Sequence, residues 1–256
     1  MEPGDFSFNI LLILFFIAIL AGFLDTLAGG GGLITMPALM ISGVPPLAAL
    51  GTNKLQGSVG TATSTFMMLK HRRIKWHDVK TLMLFSLIGS ALGSIAVQFI
   101  NTATLSFAIP LALLFIALYF IISPTPGHTN TKPRLSKKTY QSSVVPLIGC
   151  YDGMFGPGTG SFFSLAGVSL RGLSLVNATA FAKALNFSSN IASLIVFLFA
   201  GQVILLVGIV MMLGQAMGAW LGSHYLFKIN PTYLRLLIVS VSIIMLIKYA
   251  RNIGWI

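Results

Sequence analysis

Long apolar runs joined by short polar connections dominate the chain. They cover residues 8–27, 33–41, 47–69, 79–100 and 105–122, and then 144–155, 161–170, 174–199, 203–227 and 233–249. An α-helix rises about 1.5 Å per residue, so about 20 apolar residues cross ~30 Å of hydrocarbon. Most of the runs reach that length. The runs 33–41 and 161–170 do not, and each follows a glycine cluster. They are predicted as half-helices or re-entrant pieces. The pattern predicts an all-α integral membrane protein with about eight to ten transmembrane or half-membrane helices and Gly-rich helix breaks near the midplane.

Composition leaves no soluble reading. Of the 256 residues, 55% are hydrophobic and 8% are charged, against about 25% charged in soluble domains. A surface this poor in charge must face lipid. The formal net charge of +11 would suggest nucleic acid in a soluble protein. Here the basic residues fall in short loops, where they mark the cytoplasmic side, and no nucleic-acid partner is expected. Lys70, Arg72, Arg73, Lys75 and Lys80 follow the third run. Lys132, Arg134, Lys137 and Lys138 follow the fifth, Arg171 the seventh, and Lys228 with Arg235 the ninth. All share one side if the N-terminus is periplasmic; only Lys248 and Arg251 break the pattern. The acidic start, with Glu2 and Asp5, is unlike a cleavable signal peptide, so the first run is expected to be retained. The single cysteine, Cys150, excludes an intrachain disulfide.

The chain repeats internally. Gly22, Asp25, Gly29 and Gly31 recur as Gly149, Asp152, Gly156 and Gly158. Lys54 recurs as Lys183, and Gly89, Gly93 and Asn101 as Gly218, Gly222 and Asn230. The rare Asp, Lys and Asn carry this match. The organisation read from it is membrane repeat 1 over 1–122, a cytoplasmic linker over 123–143 and membrane repeat 2 over 144–256. Five segments per half make the halves face opposite ways, the inverted-repeat plan in which substrate sits near the midplane between repeats.

Two of the five acidic residues, Asp25 and Asp152, lie inside apolar runs at equivalent places. A buried carboxylate must be paired or hydrated. Each either caps a nearby helix start, pairs a lysine, or carries a coupling proton, and these roles are compatible. The clusters Gly29–Gly30–Gly31–Gly32 and Gly156–Pro157–Gly158–Thr159–Gly160 follow them. Glycine permits positive φ and close approach, and a helix restarting after such a break offers free N–H groups to an anion. Lys54 and Lys183 either snorkel to an interface or face the interior. Polar neighbours favour the interior: Asn53, Gln56, Ser58 and Thr61 in one half, Asn186, Ser189 and Asn190 in the other. Cations with amide and hydroxyl donors suit an oxyanion. The expected substrate-binding set is Gly29, Gly30, Gly31, Gly32, Asn53, Lys54, Gln56, Gly156, Gly158, Gly160, Lys183 and Asn186. No metal-ligand spacing, Walker lysine or nucleophile–base pair is found, so neither an enzyme nor a cofactor is expected.

The runs GFLDTLAGGGGLITMPAL (22–39) and ALGTNKLQGSVGTATS (49–64) resemble the sulfite exporter TauE/SafE family of membrane permeases. In the second half, GCYDGMFGPGTGSFF (149–163) and AFAKALNFSSNIAS (180–193) are similar to that family's second repeat. The resemblance implies a bacterial inner-membrane permease for sulfite, another sulfur oxyanion or an organosulfonate. The residues themselves supply only a small anion as partner, with lipid around the protein. A passive anion channel, a non-enzymatic assembly partner and a homo-oligomer all remain compatible with the sequence.

Overall fold

The computed structural model describes residues 6–122, 131–225 and 231–255. Glu2, Asp5, Lys228, Asn230 and residues 123–130 of the expected linker lie outside these. The described chain forms α1 (Phe8–Ala28), α2 (Gly32–Ile41), α3 (Pro46–Lys70), α4 (Trp76–Val97), α5 (Thr102–Ile122), α6 (Lys137–Thr139), α7 (Val145–Met154), α8 (Thr159–Arg171), α9 (Leu175–Phe199), α10 (Leu205–Tyr225) and α11 (Pro231–Asn252). No strand occurs among the described residues.

Local chemistry sets several of the boundaries. The Ser7 hydroxyl accepts the Ile10 N–H at the start of α1, and Pro46 opens α3 at a position that needs no amide hydrogen. The Ser136 hydroxyl caps α6 by accepting the Thr139 N–H. From there the chain runs through a π-turn at Tyr140–Val144 directly into α7. Helix therefore begins at Lys137, inside the stretch read from sequence as linker, because a single cap is enough to start it.

Among the described residues, five helices have the length and hydropathy to cross a membrane: α1, α4, α9, α10 and residues 102–119 of α5. Large apolar side chains such as Phe16, Leu92, Phe115, Phe199 and Trp220 are exposed on the outside, where lipid replaces water. α3 is as long as α9 but less apolar. Its polar residues Thr52, Asn53, Gln56, Ser58, Thr61 and Ser64 are buried, so its polarity faces the protein interior.

Close packing through glycine positions the two halves. α1 lies against α10: a Cβ on Gly22 would sit 2.5 Å from the Gln215 carbonyl oxygen, and Gly218 and Gly222 abut Ile19 and Phe23. α4 lies against α7 in the same manner, with Gly89 on Pro146 and Gly93 on Cys150. In both pairs residue numbers rise together, so the helices are parallel. α3 and α9 instead run antiparallel, with Gly51 against Phe197 and Gly57 against Asn190. Ser86 and Ser90 on α4 donate to the Leu185 and Ser189 carbonyls of α9, at 2.9 and 2.7 Å. These bonds satisfy hydroxyls that would be orphaned in hydrocarbon.

Candidate functional site

The site is built where α1 and α7 end. α1 stops at Gly29, whose φ of 77° is left-handed and suits glycine. α7 stops before Gly156 and Gly158, with φ of 90° and 78°. The two breaks touch. A Cβ on Gly29 would sit 2.5 Å from the Ser161 nitrogen, and one on Gly32 would sit 3.0 Å from Pro157 Cα. The Ser161 hydroxyl also donates to the Ala28 carbonyl. The first turns of α2 and α8 thus face a common centre. Among the described residues, no backbone acceptor meets the N–H groups of Gly32 or Gly158.

A cavity of about 30 Å³ lies at this junction, room for about one or two waters. Of the residues expected from sequence, Asp25, Gly29, Gly32 and Asn53 line it from the first half. Asp152, Gly156, Gly158 and Asn186 line it from the second. Thr61 and Asn190, read only as polar neighbours, also line it. Thr35, Gly57 and Gln215 line it and were missed. A lone polar side chain or glycine in an apolar helix gave no signal to separate them from background.

Gly30, Gly31, Lys54, Gln56, Gly160 and Lys183 stand behind the lining. The Gly31 N–H donates to Asp25 Oδ1 at 3.1 Å, which fixes the turn into α2. Gly30 packs on Ile238, and Gly160 on Gly29. Lys54 and Lys183 are each only 1% exposed, so neither snorkels. Each reaches across to the other half. Lys54 Nζ lies 2.9 Å from Asp152 Oδ1 and donates to the Asp152 carbonyl at 2.5 Å. Lys183 Nζ lies 3.7 Å from Asp25 Oδ2 and donates to the Asp25 carbonyl. Lys54 therefore meets a last-turn carbonyl of α7, and Lys183 adds a second donor to an Asp25 carbonyl that already accepts the Gly29 N–H at the end of α1.

The two pairs differ in one respect. Both oxygens of Asp25 are engaged, one by Gly31 N–H and one by Lys183. Asp152 Oδ2 is buried without a partner, as is Gln215 Oε1. The two asparagines, by contrast, match. Asn53 Oδ1 accepts from the Thr35 hydroxyl at 2.6 Å and from Gln56 Nε2 at 2.8 Å. Asn186 Oδ1 accepts from Asn190 Nδ2 at 3.2 Å. With their oxygens spent, both side chains have their NH2 groups left for the cavity. His71 is exposed in the loop after α3 and His77 in the first turn of α4, and His224 is exposed at the end of α10, with Nδ1 2.8 Å from the Trp220 carbonyl oxygen.

Comparison with known proteins adds the family. A model described as "Sulfite exporter TauE/SafE" matches residues 14–249. A "Probable membrane transporter protein" of Haemophilus influenzae is 42% identical over 98% of both chains. "Probable membrane transporter protein ORF9" of Sinorhizobium sp is 42% identical, covering 95% of this chain and 94% of the relative. "Probable membrane transporter protein YfcA" of Escherichia coli K12 is 40% identical, covering 92% and 88%. No solved structure matches.

Proposed function

The chain belongs to the sulfite exporter TauE/SafE family and is a multi-pass membrane transporter, and from that premise we propose that it moves sulfite, or a related sulfur oxyanion or organosulfonate, across a bacterial inner membrane by alternating access of two inverted halves. The observation that carries the anion reading is the donor set at the meeting of the breaks. Asn53 and Asn186 turn NH2 groups to the cavity, and Gly32 and Gly158 bring unpaired N–H groups at two helix starts. Oriented amides and helix N-termini favour negative charge. Lys54 and Lys183 neutralise the carboxylates beside the site, so a bound anion meets no net negative charge there.

The inverted plan is supported by the antiparallel course of α3 and α9 and by the exchange of Lys–Asp partners between halves. The exposed cations Lys70, Arg72, Arg73 and Lys75 support an orientation with the loop after α3 in the cytoplasm and the N-terminus in the periplasm. A cavity of about 30 Å³ is too small for an open channel and suits a carrier. Coupling to protons would use Asp152, whose Oδ2 has no partner, and not Asp25, whose oxygens are both held.

Proteoliposomes loaded with radiolabelled sulfite test the proposal. Net flux that follows an imposed pH gradient, and counterflow with unlabelled sulfite, are the expected results. Flux indifferent to the gradient removes the coupling, and no sulfite flux or counterflow removes the substrate assignment.

A further inference from the structure

A second cavity, of about 180 Å³, lies between α4, α8 and α9. Its position relative to the central site is set by helical period. On α8, Thr159, Phe163, Gly167 and Arg171 recur every fourth residue and share one face. Thr159 lines the central cavity, whereas Phe163, Gly167 and Arg171 line the second. On α9 the same holds for Asn190, Asn186, Ala182 and Ala178. The two asparagines belong to the central cavity and the two alanines to the second. α8 and α9 pack along these faces: Gly160 stands beside Asn186 at one level and Gly167 beside Ala178 at the next. The two cavities therefore lie in line along the α8–α9 groove, with Phe163, buried with Leu185, between the site and Arg171.

The mouth of this groove carries Lys137 and Arg171 against one carboxylate, Asp78. Arg171 is held in place by donating to the Leu135 carbonyl at 2.5 Å. Between the large apolar side chains of the wall, such as Leu82, Tyr140 and Phe181, the small residues Gly167, Ala178 and Ala182 leave the room. In the matching stretch of the first half, Met36, Leu39 and Ala49 are fully buried.

We propose that the 180 Å³ cavity is the cytoplasmic vestibule of the transport path, and that Phe163 is the inner gate between it and the central site. The molecule is then one aromatic ring from open on the α8 side. Anions reach the ring because the mouth carries a net positive charge. This inference rests on the transporter reading above and assigns the route to the same site.

Cysteine accessibility tests it without any substrate. In a Cys150→Ala background, membranes carrying Ala182→Cys are treated from either face with anionic and cationic methanethiosulfonate reagents. Ala182→Cys is expected to react from the face that bears the 71–75 loop, and faster with the anionic reagent; Lys137→Glu should reverse that preference. Thr159→Cys is expected to stay inert until Phe163→Ala is added, then to gain at least tenfold in rate. Phe163→Val, a smaller perturbation of packing, should give an intermediate gain if the alanine variant fails to fold. Labelling from the opposite face, or a Thr159→Cys rate unchanged by shortening Phe163, overturns the proposal. Protection of Ala182→Cys in membranes but not in detergent also overturns it and gives the cavity to a lipid chain. Absent sulfite flux alongside the expected labelling would sink the substrate assignment and leave the route standing.

Discussion

Lys54 and Asp152 are both 1% exposed and 2.9 Å apart, so neither partner can be removed alone without stranding a charge. Losing one member of a buried pair typically costs about 3–5 kcal/mol, whereas an apolar replacement of both is often tolerated. Lys54→Met should therefore lower the unfolding temperature sharply in detergent, and Lys54→Met with Asp152→Leu should recover most of the loss. A double variant no more stable than the single one would mean that the pair does not hold the halves together. The two aspartates are expected to part company in function. Asp152→Asn should flatten the pH dependence of transport in proteoliposomes, because Oδ2 is a carboxylate oxygen without a partner, and should also lower the unfolding temperature, because Lys54 loses its counter-charge. Asp25→Asn should show mainly as reduced stability, because its carboxylate holds both Gly31 and Lys183. Equal pH profiles for the two variants would remove that distinction. Sequence could single out these four residues, since a charge in an apolar run is rare and expensive. It could not give their partners. Asp25 meets Lys183 rather than Lys54, and that exchange depends on how the halves dock. Gln215 was invisible for a different reason: it is uncharged, lies on α10 and has only a serine, Ser86, as its counterpart in the other half.

Glycine acts on the helices in two distinct ways. Gly93 and Gly218 let helices touch: a Cβ on either would overlap a backbone carbonyl oxygen, that of Cys150 or Ile19. Backbone cannot move aside as a side chain can, so overpacking here should cost about 1–3 kcal/mol or more. Gly43 has φ of 87° and open space around it, so Gly43→Ala should cost only the left-handed strain, about 1–2 kcal/mol. Thermal unfolding of Gly93→Ala, Gly218→Ala and Gly43→Ala would check that order, and a Gly43 variant at least as destabilised as the other two would reverse it. The small-residue spacings of α4 and α10 were legible as packing seams. The short α2 and α8 were legible as half-helices because their apolar runs stop early. The helix starting at Lys137 was not, since Pro124, Pro126, Gly127 and four nearby cations read as a loop. α3 shows the converse: its sequence is the least apolar of the long helices outside α11, because it faces the site and not lipid.

At the scale of the molecule, two helix breaks meet head to head. The parallel α1–α10 and α4–α7 pairs flank them, and the antiparallel α3 and α9 cross behind. Repetition of a rare Asp, Lys and glycine run made a two-halved plan readable before any coordinates. What sequence could not give is the space between the halves: a central cavity of about 30 Å³, with Phe163 standing between it and the larger space along α8. An anion must therefore widen the site to bind, so binding should be read as stabilisation of a conformation with more room. The most direct test is the unfolding temperature of purified protein titrated with sulfite, sulfate, thiosulfate, sulfonates and carboxylates. At a hundredfold excess over the dissociation constant, a ligand stabilises the native state by about 2.7 kcal/mol. The account expects sulfite or another sulfur anion to raise the wild-type midpoint in a saturable way, and a folded Asn53→Leu, Asn186→Leu double variant to lose that rise. No shift with any anion, or an undiminished shift in the double variant, would contradict it.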